Sequence, residues 1–225
     1  MMRSDAALWE VLLNLLLSPL MWGLVVLGAM SLFAHWLDSP KGRGWRGERA
    51  VRRILAKLDA ESHTVFHDLT LETEHGLTQI DHLVVSGEGI WVIETKTMRG
   101  LLKGDQHGRF WYQILGKSAR RFQNPLRQNY RHVRAVQEVT GLAKEAVHSV
   151  VVLAGSAKFD GDMPDNVVYT KRLLAYLMVV GVTDHRLEAA ERSKAVHAIE
   201  ENRLPPGRAT NRRHLAELEK RFANK

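Results

Sequence analysis

The chain has 225 residues, with 32 Lys and Arg, 25 Asp and Glu, 11 His and no Cys, for a formal net charge of +7. That length holds one domain with additions, or two very small ones. The lack of cysteine excludes a disulfide scaffold, a thiolate zinc site, an iron–sulfur cluster and a Cys nucleophile. The ordinary hydrophobic (45%) and charged (25%) fractions exclude a disordered or collagenous chain.

The charge is segregated. Val11 to Phe33 is a run of 23 residues without a charged side chain. As a helix rising about 1.5 Å per residue it spans roughly 35 Å, enough to cross a bilayer with some tilt. Pro19 is tolerated there with a kink, and Trp9, Trp22 and Trp36 include two near the ends, where indoles favour the interface. A cleaved signal peptide fits poorly, because the apolar core is too long and only Arg3 supplies a basic side chain before it. The expectation is a single-pass membrane anchor. Lys41, Arg43, Arg46, Arg49, Arg52, Arg53 and Lys57 follow the span, which places the C-terminal domain in the cytoplasm. Arg3 against Asp5 and Glu10 leaves residues 1–37 at −1, so residues 38–225 carry +8.

Residues 38–44, around Ser39-Pro40-Lys41-Gly42, read as a linker. Trp45 to Leu58 reads as a helix with Val51, Ile54, Leu55 and Leu58 on one stripe. Strands are predicted at Thr64–Leu69, Thr78–Val85 and Ile90–Thr97, with weaker ones at Leu101–Lys103 and Arg109–Leu115. Asn124-Pro125 has the form of an N-cap followed by Pro at the first helical position, starting a helix to about Val139. Val147–Ala154 is a continuous apolar run suited to an internal strand. A short strand at Val167–Thr170, a helix near Arg172–Val180, a helix capped by Thr183 and running to about Asn202, and a last helix from Thr210 complete the chain. Helices flanking a mixed sheet imply one α/β domain from about residue 44 onward.

The chemistry concentrates in one hairpin. Side chains alternate along a strand, so Gln79, Asp81, Leu83 and Val85 are expected on one face, and Ile90, Val92, Glu94 and Lys96 on one face of the next strand. A two-residue turn at Gly87-Glu88 or a four-residue turn from Ser86 to Gly89 both pair Val85 with Ile90. Counting back sets Asp81 opposite Glu94 and Gln79 opposite Lys96. Opposed Cβ atoms lie about 4.5–5.5 Å apart, and like charges so placed are destabilising. A divalent cation, Mg²⁺ or Mn²⁺, resolves the repulsion, since Mg²⁺ typically takes one or two carboxylates and keeps waters. The adjacent lysine suits a nucleophilic water or a developing phosphorane charge. The plainer alternative is a solvated sheet edge with a Glu–Lys pair. Glu48 lies at the edge of the helical stripe, as a further acidic member of this cluster or as a first-turn residue favoured by the helix dipole.

Gly47-Glu48 opening a helix, Gln79-Ile80-Asp81-His82, Gly89 to Lys96, Gly100, Trp111 and Asn124-Pro125-x-x-Gln128 resemble the NERD family, the nuclease-related domain. The resemblance covers about residues 44–155. It implies a restriction-endonuclease-like mixed β-sheet flanked by helices, of the PD-(D/E)xK superfamily, and Mg²⁺-dependent phosphodiester hydrolysis. It further implies that Asp81 and Glu94 are metal ligands, Lys96 is the catalytic lysine, Glu48 is the helical acidic residue and Gln128 is the glutamine of the following helix. Ile80 stands where the superfamily has proline. The expected organisation is an anchor over 1–37 (span about 11–33), a linker over 38–44, a nuclease-like core over 45–160 and a helical extension of the same domain over 161–225.

Lys117, Arg120 and Arg121 precede the Asn124-Pro125 helix. Arg127, Arg131 and Arg134 recur along it beside an apolar stripe of Leu126, Tyr130, Val133 and Val139. Such a stripe tracks phosphates or is a solvated face. With no base-reading motif, little sequence specificity is expected, and DNA is the expected nucleic acid. His82 points away from Asp81's face and is expected to be packed or hydrogen-bonded. His132, four after Gln128, reads as surface or site rim. A catalytically inactive nucleic-acid-binding or membrane-tethering module with the same fold is the competing reading.

Overall fold

The computed structural model describes residues 18–74, 76–180, 186–205, 207, 210, 212, 213 and 216. Two compact units divide between Arg46 and Gly47.

In the first unit, helix α1 (Pro19–Asp38) starts at the N-cap Ser18, whose hydroxyl accepts from Met21 N. Its mean hydropathy is 1.7 and none of it is buried, so it is long and apolar enough to cross a membrane. Phe33 stacks on Trp36 near its C-terminal end. The expected span began earlier; residues 11–17 and Trp9 lie outside the described residues. Ser39 ends α1 and also receives Gly42 N, so Pro40 opens a second helix, α2 (Pro40–Leu55), through the stretch that reads as a linker. Proline at the first helical position and a serine cap outweigh the two glycines there.

The second unit holds a five-stranded mixed sheet with the order β1-β2-β3-β7-β9. Strands β1 (Thr64–Thr73), β2 (Gly76–Ser86) and β3 (Gly89–Met98) are antiparallel neighbours. Strands β7 (Val147–Gly155) and β9 (Val167–Tyr169) continue the sheet in parallel. A second mixed sheet, ordered β6-β5-β4-β8, comprises β4 (Leu101–Lys103), β5 (Phe110–Leu115), β6 (Ser118–Gln123) and β8 (Lys158–Phe159). The expected mixed α/β class is therefore what forms. The sequence reading missed β6 and β8.

Helix α3 (Pro125–Thr140) starts at Asn124, whose side chain accepts from Leu126 N, as the Asn-Pro signal requires. With α5 (Ala189–Asn202) it covers one face of the main sheet through Phe66, Leu69, Ile80, Leu83, Val92, Val136 and Ile199. Val51 and Leu55 of α2, with Leu173 and Leu177 of α4 (Leu173–Val180), cover the other face over Val84, Trp91, Ile93 and Val152. The cap of α5 is Glu188, not Thr183, which lies outside the described residues, as does most of the chain after Thr210.

Candidate active site

The turn between β2 and β3 is the two-residue form, with Ser86 paired to Gly89 and Val85 to Ile90. The expected register therefore holds through His82–Ile93, and there the ladder ends. Ile80 shares a core cluster with Leu83, whereas Val84 lies in the opposite one, so side-chain alternation breaks between them. The partner strand breaks in step: Phe66 and Leu69 share a cluster, and Asp68 between them has φ 51°, in the left-handed region. This paired kink corrects the expectation that Gln79, Asp81, Leu83 and Val85 share a face. It also removes the expected Gln79–Lys96 and Asp81–Glu94 ladder pairs. Asp81 is re-aimed, and its Oδ2 accepts from the Thr95 backbone N–H at 2.7 Å.

Glu94 is 2% exposed. Lys96 Nζ lies 2.6 Å from its Oε1 and donates to Gln128 Oε1 at 3.0 Å. His132 Nε2 lies 3.4 Å from Glu94 Oε2, a close polar contact too poorly aligned for a hydrogen bond. Thr78 Oγ1 is 2.6 Å from His132 Nδ1. Assigning that proton to the hydroxyl leaves Nε2–H facing Glu94. One turn of α3 thus supplies two side chains, Gln128 and His132, that hold the Glu94–Lys96 pair from above the sheet. Asn129, fully buried between them, donates to Val92 O, Ser149 Oγ and Val150 O and pins the helix to β3 and β7. Sequence reasoning left His132 as surface or rim; its spacing of four from Gln128 was the signal that both share a helix face.

Glu48 is half-buried on α2. Gly47 lets this helix approach β3, since a Cβ there would collide with the Thr97 side chain and reach 3.1 Å from Ala154 Cβ. Burial raises the Glu48 carboxyl above its ordinary range, and the charges of Asp68 and Glu94 add to this; Arg52 and Lys96 oppose it. Arg52 Nη2 is 2.5 Å from Asp68 Oδ2. In the sequence Arg52 reads only as one of the basic residues after the span and nothing marks Asp68, although Arg52 lies four residues after Glu48 on the same helix.

Burial, then the Glu94 charge, raises the Asp81 carboxyl well above the usual carboxylate range, with the Thr95 N–H opposing. Glu94 goes the other way. Burial pushes it up, but His132 and Lys96 outweigh burial and hold it below its ordinary range. The two acids at the core of the site are thus driven apart, as expected when like charges share a desolvated space.

The fit of a divalent cation rests on these atoms. Among the described residues no three acidic or imidazole side chains converge to enclose a metal ion. Glu48, Asp81 and Glu94 therefore do not stand as a closed cage. An open site with one or two carboxylates and several waters is the usual arrangement for Mg²⁺. Glu94 Oε2 is buried without a hydrogen-bond partner, and Asp81 is raised by burial and then by its neighbour's charge, which is the chemistry a cation relieves.

The basic residues lie on two elements. Arg127, Arg131 and Arg134 are exposed along α3, as expected, but Tyr130 is 62% exposed beside them and is no part of the apolar stripe. Asn129 and His132 take its place inward. Lys117 occupies the β5–β6 turn, and Arg120 and Arg121 are successive residues of β6, so they point to opposite faces. His82 is fully buried and shares a 2.9 Å Nδ1–Nδ1 hydrogen bond with His67, on the face away from Glu94.

Residues 43–154 match the family model of NERD, the nuclease-related domain. That range contains Glu48, Gln79, Asp81, Glu94, Lys96, Gln128 and His132. A protein of Bacillus anthracis described as uncharacterized is 42% identical over 99 residues, covering 44% of this chain and 47% of the relative. The chain thus spans about half the length of the curated relative it matches. No solved structure matches it.

Proposed function

We propose that this protein is a membrane-anchored, divalent-metal-dependent nuclease of the PD-(D/E)xK type. It hydrolyses phosphodiester bonds of DNA with little sequence preference, from a domain on the cytoplasmic side. The observation that carries this reading is the convergence of Asp81, Glu94, Lys96, Gln128 and His132 at the end of β3.

Asp81 and Glu94 would hold Mg²⁺ or Mn²⁺, with Glu48 beside them. Such an ion supplies Lewis-acid polarisation of the phosphate and lowers the pKa of a bound water. Lys96, fixed by Glu94 and Gln128, presents its ammonium to the attacking water or to charge growing on the phosphate oxygens. The water oxygen bonds phosphorus as its proton passes to solvent, one P–O ester bond breaks, and the departing oxygen takes up a proton from solvent. Arg127, Arg131 and Arg134 bind phosphates without reading bases.

One observation favours a second reading. Lys96 and His132 already flank the Glu94 carboxylate, which suits a module that binds nucleic acid without cutting it. The test uses the full chain in detergent with plasmid, linear DNA and RNA, plus Mg²⁺ or Mn²⁺. Cleavage abolished by Asp81→Asn and by Lys96→Ala supports the nuclease. Wild-type cleavage no greater than either variant's overturns it, and salt-sensitive binding that survives Asp81→Asn then favours the second reading. The chain lacks cysteine, so a Lys57→Cys variant tests sidedness: labelling from the cytoplasmic side alone is expected.

A further inference from the structure

The β5–β6 hairpin has two unlike faces. Trp111 is fully buried and packs edge-on against Phe122 and Phe159, with its Nε1–H donating to Asp105 O. The pairings Phe110–Gln123 and Tyr112–Arg121 set those four residues on the opposite, outer face. There Phe110 is 38% and Tyr112 48% exposed. Arg121 lies over the Phe110 ring with Cζ 4.8 Å from its centroid, and Arg109 lies 5.6 Å from it. Residues 109–123 contain Arg109, Lys117, Arg120 and Arg121 and no acidic residue.

This face is rigidly mounted. Asn124 is fully buried, donates its side-chain amide to the carbonyls of Asp105 and Gly108, and joins its backbone N–H to Arg109 O. The same Asn124 caps α3, so the hairpin leads straight into the helix whose Gln128 holds Lys96. Arg127 reaches back to His107 O in the loop before β5. Exposed apolar surface gathered in one patch and rimmed by polar residues marks an interaction site. Rings interleaved with guanidinium groups and free of carboxylates match a partner that is flat, aromatic and anionic at once.

We propose that the outer face of the β5–β6 hairpin is a stacking platform for unpaired bases, which makes a single-stranded segment the preferred nucleic acid of this site. Tyr112 and the Phe110–Arg121 stack receive base faces, and Arg109 and Lys117 receive the phosphates between them. A duplex buries its base faces in its own stack, so only unpaired nucleotides offer the complementary surface. This rests on the nucleic-acid reading above and specifies the substrate class.

The experiment measures anisotropy of a labelled oligo-dT of about 20 nucleotides and of a duplex of equal length, with full chain in detergent and EDTA to suppress hydrolysis. The single strand is expected to bind more tightly. Tyr112→Ala is expected to weaken it about tenfold, in the range of base–aromatic stacking, with little effect on the duplex. Tyr112→Trp should retain binding, and Lys117→Ala should lower the salt slope by about 0.7. Unchanged melting of Tyr112→Ala would show that the loss is not unfolding. Equal binding of both DNAs, or of wild type and both Tyr112→Ala and Phe110→Ala, overturns the platform. So does a Tyr112→Ala defect confined to vesicles of anionic lipid, which would assign the face to a membrane. Failure of the nuclease reading shows separately, as absent cleavage of both plasmid and the single-stranded oligonucleotide in Mg²⁺ with oligonucleotide binding retained.

Discussion

Lys96 on β3 donates to Gln128 on α3 at 3.0 Å, a contact across 32 positions of sequence that fixes the ammonium beside Glu94. Gln128→Ala removes that tether while leaving the Glu94 contact. A hydrogen bond to a charged group is worth about 1.5–3 kcal/mol. Cleavage by the variant is expected to fall roughly tenfold to a hundredfold, with a melting temperature a few degrees lower. Wild-type rates in plasmid-nicking assays would show that Lys96 needs no such support.

The raised Asp81 carboxyl makes a stability prediction. In the folded chain Asp81 keeps its proton to higher pH than in the unfolded chain, where the value is about 3.9. Stability therefore declines as pH rises from about 4 through the folded value. Without metal, Asp81→Asn is expected to be more stable than wild type at pH 7, because it removes a buried carboxylate from beside Glu94. Adding Mg²⁺ should raise the wild-type melting temperature and leave the variant's unchanged. Melting curves with EDTA and with Mg²⁺ measure both effects.

His82 gives the opposite slope. Burial, then His67 and Arg52, depress its pKa to about 3, against about 6.5 when unfolded. Between those values the unfolded chain binds more protons. Stability is lost as pH falls below about 6.5, by up to about 1.4 kcal/mol per pH unit. His82→Gln should flatten this part of the urea-denaturation profile between pH 7 and 5. Parallel profiles for the two proteins would contradict the assignment.

At Gly47 the backbone of α2 backs onto β3, and Gly47→Ala places a methyl into the Thr97 side chain. Overpacking of this kind costs about 1–3 kcal/mol. The helix must shift to relieve it and take Glu48 with it. Lower thermal stability together with lower activity is expected, whereas Ala50→Gly, on the same helix, should lose stability through helix propensity alone, by about 1 kcal/mol.

If the exposed arginines of α3 contact phosphates, each makes its own contribution to counterion release. Arg131→Ala should reduce the slope of log affinity against log salt by about 1, uniformly across DNA sequences. A slope equal to wild type would mark this as an ordinary solvated face.

The amino-acid sequence by itself determined the elements whose signals are local. The uncharged run that supplies most of α1, the alternation of β3 and of β2 from His82 onward, their short turn, the Asn124 cap and the apolar run of β7 each depend on neighbours within a few residues. The acidic and basic side chains of the site were legible for the same reason, since Asp81, Glu94 and Lys96 sit on one hairpin. Tertiary structure decided the rest. The break in alternation at Asp68 and Asp81 is shared by two paired strands, so neither strand encodes it alone. It redirects Asp81 from a ladder partner of Glu94 to an acceptor for Thr95 N–H. The strand Ser118–Gln123, basic and without a strong propensity of its own, forms because β5 supplies its hydrogen-bond partners. His132 changes from a surface histidine to a neighbour of the buried Glu94 because packing of α3 against β3 and β7, pinned by Asn129, brings distant sequence within 4 Å. Local chemistry named the groups, and the long-range packing of one helix on one sheet set which of them meet.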